Sequence, residues 1–339
     1  MERPTTDWVG GVLLVAVLLL GPMAGAAHAQ DGAAGAFARS GFDARGEAMG
    51  NALGADATGD VSPYYNPALA PYVSDQHISA SAAFLSMDRE QQTLQFAVPL
   101  EPTAGVAAYV IRAAVEDIDG RDRSGFHTGT LSTEELAGAL AFGNRFSDRL
   151  TLGAALKFYR ADFFEGVDPE LSLGVDLGAV VHASEALTVS LTVNDLLASY
   201  SWDGTGGRAV TDDFPVRLRG GLSYTLLDDR LQLVAEYESR IATREEITLD
   251  DDGARQPVRE VRTHHAQGRL GGAFALADMF SVRAGIDRIG VAGSEGLRPS
   301  AGFGIDQPVG NLDVHVAYAF ALDPHVRTGA HLLTLQIFI

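Results

Sequence analysis

Two pairs of like charges stand out by their spacing. Arg217 and Arg219 lie two residues apart in "VRLRGGLSYTL", and Glu236 and Glu238 two apart in "LQLVAEYE". In an extended strand residues i and i+2 share a face, so each pair projects one sign of charge to one side. Arg269, Arg283, Asp176, Asp287 and Asp306 fall at comparable positions. The chemistry this predicts is ion pairing across a polar interior rather than bond making. Asp117, Asp119 and Asp122 in "EDIDGRD", and Asp250, Asp251 and Asp252 in "LDDDG", gather carboxylates, but neither run has the twelve-residue calcium loop closed by a bidentate acid. Both read as solvated acidic loops. His264 and His265 are adjacent and point to opposite faces, while His182, His315 and His331 fall one to a strand, their convergence left open. No G-x-S-x-G elbow occurs, and spacing brings no Ser, His and acid together. The chain is expected to be non-enzymatic, with no catalytic residue, metal site or cofactor.

What positions those charges is set by where the chain resides. Arg3 precedes an apolar stretch from Trp8 to Leu20, a Gly21-Pro22 break and the small-residue sequence Ala27-His28-Ala29. This predicts a secretory signal over residues 1–29, too short in its apolar part for the roughly 18 to 20 residues of a spanning helix. The absence of cysteine excludes disulfides, thiolate metal sites and a lipidated N-terminus. The net charge is −19; the first 29 residues carry Glu2, Arg3 and Asp7, so the mature chain keeps −18. With Lys157 the only lysine and no cluster of arginines, a nucleic-acid partner is not expected.

From His77 onward the pattern has period two. In "RLTLGAALKFY", Leu150, Leu152, Leu156 and Phe158 alternate with Thr151, Gly153, Ala155 and Lys157; "LSLGVDLGAVVH" and "LTVSLTVN" repeat the scheme. Short links at residues 99–103, 146–149, 183–186, 227–230, 277–279 and 309–311 take turns with longer polar ones such as "SYSWDGTGGRAVTDDF". Short turns at one end and long loops at the other describe an outer-membrane barrel of a Gram-negative bacterium. The fold class expected is all-β: a transmembrane antiparallel β-barrel of about 14 strands over residues 77–339, with a short N-terminal plug-like segment over residues 30–76. Basic residues facing lipid at mid-depth would cost about 2 to 4 kcal/mol each, so the charges must point inward. In "HLLTLQIFI", Leu333, Leu335, Ile337 and Ile339 are expected to face lipid, with Thr334 and Gln336 inside.

The plug-like segment lacks period two, yet Phe42, Met49, Leu53, Tyr64, Tyr65 and Leu69 would gain by burial. Asn66-Pro67 reads as a turn toward the first strand. Its "ARGEAMGNALGADATGDVSPYYNPALA" resembles the N-terminal signature of the PorV/PorQ family, a branch of the FadL-like outer-membrane proteins, through Ala44, Arg45, Met49, Gly50, Asp60, Tyr65, Asn66, Pro67, Ala68 and Leu69. The later "DIDGRDRSGFHTGTLSTEELAGALAFGNRFSDRLTLGAALKFYRADF" is similar to that family's second external loop and following hairpin.

The resemblance implies a fourteen-stranded barrel whose leader is tucked into the periplasmic end. It also implies two roles. In one, the barrel binds or shuttles partners in type IX secretion, meeting secretion components and cargo that carries a C-terminal signal domain. In the other, it passes hydrophobic molecules such as long-chain fatty acids or hydrocarbons. The charged inward face favours the first, with Tyr200, Trp202 and Phe214 of the fourth external loop as partner contacts; an interfacial girdle is the competing role for those aromatics. Outer-membrane lipids are expected partners in either case.

Overall fold

The computed structural model describes residues 34–59, 62–163, 168–203, 209–246, 259–290, 296–323 and 329–339. Residues 1–29 and the acidic run Asp250, Asp251 and Asp252 lie outside the described residues.

Alternation builds the wall. In β5 (Leu150–Asp162) Leu152, Leu156 and Phe158 stand outside, Leu156 being 59% exposed, while Thr151, Ala155, Lys157 and Tyr159 are buried inside. The same scheme runs through β1 (His77–Phe84), β2 (Arg89–Leu100), β3 (Ala104–Arg121), β4 (His127–Arg145), β6 (Glu170–His182) and β7 (Leu187–Leu196). A two-stranded hairpin, β8 (Ser199–Asp203) and β9 (Ala209–Asp213), interrupts the order. The wall resumes with β10 (Val216–Leu226), β11 (Leu231–Glu246), β12 (Arg259–Ala277), β13 (Phe280–Gly290), β14 (Arg298–Val309), β15 (Leu312–Leu322) and β16 (Gly329–Phe338). Each wall strand pairs antiparallel with its neighbours, and β1 closes on β16 from His77↔Phe338 to Phe84↔His331, giving a closed barrel of fourteen strands. Closure leaves no open edge, which an apolar medium requires because it offers no water to satisfy a free main-chain group.

The exposed apolar side chains lie on the outward face: Leu94, Leu140, Leu171, Leu191, Leu270 and Leu333 are examples. So continuous an exposed apolar surface marks a membrane face. On β16, Leu333 and Leu335 face out while Thr334 and Gln336 are buried inside; Phe338 turns its ring toward His77, with centroids 5.4 Å apart. Among the described residues no helix is long and apolar enough to cross a membrane.

Residues 34–59 and 62–73 lie inside the barrel. They form a 3-10 turn (Ala36–Arg39), the short helix α1 (Ala44–Ala48) and a second 3-10 turn (Pro67–Tyr72). Asp43 caps α1 by accepting from the Gly46 amide at 2.6 Å, and Asn66 caps the second turn by accepting from Ala68 at 2.9 Å, both polar residues of the kind that satisfy first-turn amides. Phe42, Met49, Leu53, Tyr65 and Leu69 are fully buried. The wall admits this main chain by presenting glycine. A Cβ at Gly105, Gly153, Gly271 or Gly285 would overlap the backbone of Ala70, Pro67–Ala68, Met49 or Met49–Gly50 respectively. Wall side chains then bond to the plug backbone, Gln91 donating to the Gly41 carbonyl at 2.8 Å and Thr93 to the Phe42 carbonyl at 2.9 Å.

Replacing a lipid-facing residue at mid-strand tests the orientation of the wall. Leu156→Arg is expected to lower the unfolding free energy in phospholipid vesicles by about 2–4 kcal/mol, measured by urea titration; an unchanged midpoint would contradict the assignment of that face.

Candidate functional site in the barrel lumen

A belt of paired charges crosses the middle of the lumen on β5, β6, β7, β10, β11, β12 and β13. Its first centre is Asp195, whose carboxylate accepts from Lys157 Nζ at 2.7 Å, the Tyr159 hydroxyl at 2.6 Å and Arg217 Nε at 2.9 Å. Asp176 joins through Lys157 at 3.1 Å and the Asn194 amide at 2.9 Å. A second centre is Glu236 and Glu238. Arg219 and Arg269 each donate to Glu236 at 2.7 Å, Arg269 reaches Glu238 at 3.1 Å, and Arg240 forms a short contact with Glu238. Arg269 also holds Asp287 at 2.8 Å. Lys157, Arg217, Arg219, Arg240 and Arg269 thus face Asp176, Asp195, Glu236, Glu238 and Asp287, a neutral set buried away from water. Paired so, each charge keeps the hydrogen bonds it loses on leaving solvent.

The plug is tied to this belt. The Gly54 amide donates to Glu236 at 3.2 Å, and Arg219 donates to the Tyr65 carbonyl at 3.2 Å. Arg45 pairs with Asp56 at 2.6 Å, and Gln232 of the wall donates to the same carboxylate at 2.8 Å. Burial would raise the Asp56 carboxyl, but Arg45 and the hydrogen bonds from Thr58 and Gln232 outweigh it and hold it below its ordinary range. Asn66 donates to the Gly54 carbonyl at 2.9 Å and the Ala179 carbonyl at 3.3 Å, joining plug to plug and plug to wall. Met49 and Gly50 lie against Gly271 and Gly285, and Pro67 against Gly143 and Gly153. Asp60 lies outside the described residues.

Outward of the belt the lumen becomes aromatic. Phe42 stacks on Tyr64 at 5.1 Å and meets Tyr109 edge-on at 5.4 Å. Tyr159 lies 4.6 Å from Phe214, Phe214 4.9 Å from Tyr200, and Tyr200 5.5 Å from Trp202. This corrects the expectation that Tyr200, Trp202 and Phe214 form an exposed contact surface: Tyr200 and Phe214 are buried and Trp202 is partly so. The reason lies in the wall. Pairing of β6 with β7 shifts register between Val175 and Leu177, Asp195 and Leu197 take positive φ (61° and 67°), and Leu197 is left 88% exposed. The Asp195 amide is held by Asp176 at 2.8 Å. The chain then leaves the wall, the Ser199 amide bonding to Ser172 at 2.9 Å, and the hairpin places Tyr200 and Trp202 of β8, and Phe214 just after β9, in the lumen. Two cavities of about 90 and 240 Å³ flank the plug, one beside Glu47, Arg89 and Arg298, the other beside Tyr72, Pro99 and Arg145 at the short-turn end.

The remaining candidates disperse. Asp306 sits 55% exposed, pairing with His315 at 2.6 Å, because it lies near the short-turn end of β14 rather than in the belt. The Asp119 carboxylate accepts from Arg121 and His127, and Asp122 accepts from the Ser124 and Phe126 amides, so these acids are engaged locally. Among the described residues no group of His, Asp or Glu is placed to hold a metal. Sequence reasoning missed Asp195 as the hub of the belt. The only signal was its place between an alternating strand and an aromatic loop.

No protein-family model matches the chain, and no curated protein matches it. Among solved structures it is similar to the toluene transporter TodX of Pseudomonas putida, with a TM-score of 0.60 and 13% identity, covering 88% of this chain and 97% of that one. It is also similar to the toluene transporter TbuX of Ralstonia pickettii (0.57, 12%, 88% and 97%) and to a FadL homologue of Pseudomonas aeruginosa (0.55, 10%, 87% and 97%). The likeness is one of fold: the chain has the architecture of FadL-type outer-membrane barrels.

Removing one carboxylate from the belt tests its energetics. Glu238→Gln leaves Arg217, Arg219, Arg240 and Arg269 short of a counter-charge and is expected to cost about 3–5 kcal/mol. Asp119→Asn, in a solvent-exposed pair, should cost under about 1 kcal/mol. Urea unfolding of the two variants side by side checks the contrast.

Proposed function

We propose that this barrel passes small hydrophobic molecules across the outer membrane of a Gram-negative bacterium. The observation that carries the reading is the cluster of buried aromatic side chains in the outer lumen, Tyr109, Tyr159, Tyr200 and Phe214, above a plugged, charged belt. A transmembrane pore for ions or sugars would be expected to keep a hydrated mouth, whereas rings in van der Waals contact favour apolar solutes. The likeness in fold to proteins described as toluene transporters supports the same reading. In it the plug closes the lumen, with Arg45, Met49, Gly50, Asp60, Asn66 and Pro67 as its functional residues.

The N-terminal motif over residues 44–69 favours a second reading, a PorV/PorQ-type role in type IX secretion. That reading has lost its proposed contacts, because Tyr200 and Phe214 are turned inward and offer nothing to a partner in solution.

A clean deletion of the gene separates the two. Initial uptake of radiolabelled toluene and of a long-chain fatty acid is expected to fall in the deletion and return on complementation, with surface and medium proteins unchanged. Normal uptake together with loss of exported proteins that share a C-terminal domain would reverse the order of the two readings.

A further inference from the structure

The cavity of about 90 Å³ is lined by three arginines, Arg89, Arg288 and Arg298, in a chain whose net charge is −19. Arg89 opens β2 and Arg298 opens β14, both at the end of the barrel opposite the short turns. Both point inward: Arg89 shares a strand face with Gln91 and Thr93, which bond to the plug, and Arg298 stands opposite the buried Asp287. Two carboxylates line the same cavity, Glu47 of the plug and Asp323 just after β15, while Asp287 is already held by Arg269 at 2.8 Å. Among the described residues, three cations therefore face two anions there. Donors are also in excess. Arg298 spends Nη1 on Glu47 at 2.7 Å, and Glu47 accepts in addition from Asn51 at 3.1 Å. Arg89 donates from Nε to the Ser86 carbonyl at 3.0 Å and from Nη2 to the Ser86 hydroxyl at 3.1 Å, with Asp323 3.9 Å away. Among the described residues no hydrogen bond engages Nη1 of Arg89 or Nε and Nη2 of Arg298, and each of these atoms keeps some accessible surface.

We infer that this cavity binds a free oxyanion of phosphate size, held by Arg89 Nη1 and by Arg298 Nε and Nη2, with Arg288 adding positive charge. The site stands apart from the channel reading and does not depend on it. A guanidinium offers a planar fork of donors that matches the oxygens of such an ion, and donors without acceptors in a half-closed space are unfavourable. The volume has room for several waters, and so for one such ion. A metal cation would meet three like charges, and an apolar solute would leave the donors unpaired. Membrane headgroups lie outside the wall and the cavity inside it, which assigns the site to an anion from the aqueous side. The net charge of −19 repels anions at long range, so retention here must come from the local contacts. One side of the cavity is the plug residue Glu47 and the other is wall, so a bound ion bridges the two.

The test is equilibrium dialysis of the detergent-purified protein against radiolabelled orthophosphate at low ionic strength, competed by sulfate and by chloride. Saturable binding is expected, displaced by sulfate and not by the same concentration of chloride. Arg89→Gln should weaken it by about tenfold, the size of one charge-assisted hydrogen bond, and Arg298→Gln, which removes two donors, by more. Arg112→Gln is the control: its guanidinium is 37% exposed, close to the 41% of Arg89, but lies on the outer face of β3, and this variant should bind as the parent does. Heat-modifiable migration in gels verifies that each variant is a folded barrel. Arg298→Gln deprives the buried Glu47 of its cation, so if it does not fold, Arg89→Gln decides the matter. Phosphate binding that fails to saturate, a folded Arg89→Gln that binds as the parent does, or an Arg112→Gln that weakens binding as much as Arg89→Gln, would overturn the inference.

Discussion

Burying ionisable groups at mid-height in a membrane barrel is tolerable only when every charge is matched, and that constraint organises this molecule. A single carboxylate such as Asp195 or Glu238 stripped of water would carry a penalty of several kcal/mol. Each is instead surrounded by cations from strands that alternation already turns inward: Lys157 and Arg217 around Asp195, Arg240 and Arg269 around Glu238. The register of seven neighbouring strands must be right for these contacts to form at once. The belt therefore specifies the pairing of that half of the barrel, beyond whatever stability it adds.

The plug completes what the belt begins. Its backbone amides and carbonyls supply hydrogen bonds that Glu236 and Arg219 would otherwise lack toward the short-turn end. It can approach closely enough only because Gly105, Gly153, Gly271 and Gly285 present no side chain. The apolar side of the same segment, Phe42 and Tyr64, packs into the aromatic cluster of the outer lumen. One segment thus packs against both the charged belt and the aromatic cluster of the outer lumen.

Much of this was legible in the sequence where periodicity is unbroken. Lys157 on β5 and Arg217 and Arg219 on β10 were readable as inward because their strands alternate without interruption. Asp195 was not, because two residues in left-handed conformation reset the faces after Asn194, and a period-two reading has no term for a bulge. The same break hid the fate of Tyr200 and Phe214, which follow it. Asn66-Pro67, readable as a turn, proved to be the capped start of a 3-10 turn whose asparagine also clasps the wall. The inward glycines were visible as small residues, but close approach of a second chain segment is a tertiary fact that no local pattern contains.

Residues 34–59 and 62–73 are a folded part of the lumen, held by the belt and by close packing on glycine. Hydrogen exchange of the detergent-purified protein, followed by mass spectrometry, tests this most directly. Peptides covering residues 44–56 and 64–73 are predicted to exchange as slowly as those of β5. Exchange of both at the rate of an unstructured chain, with the wall strands still protected, would contradict the account.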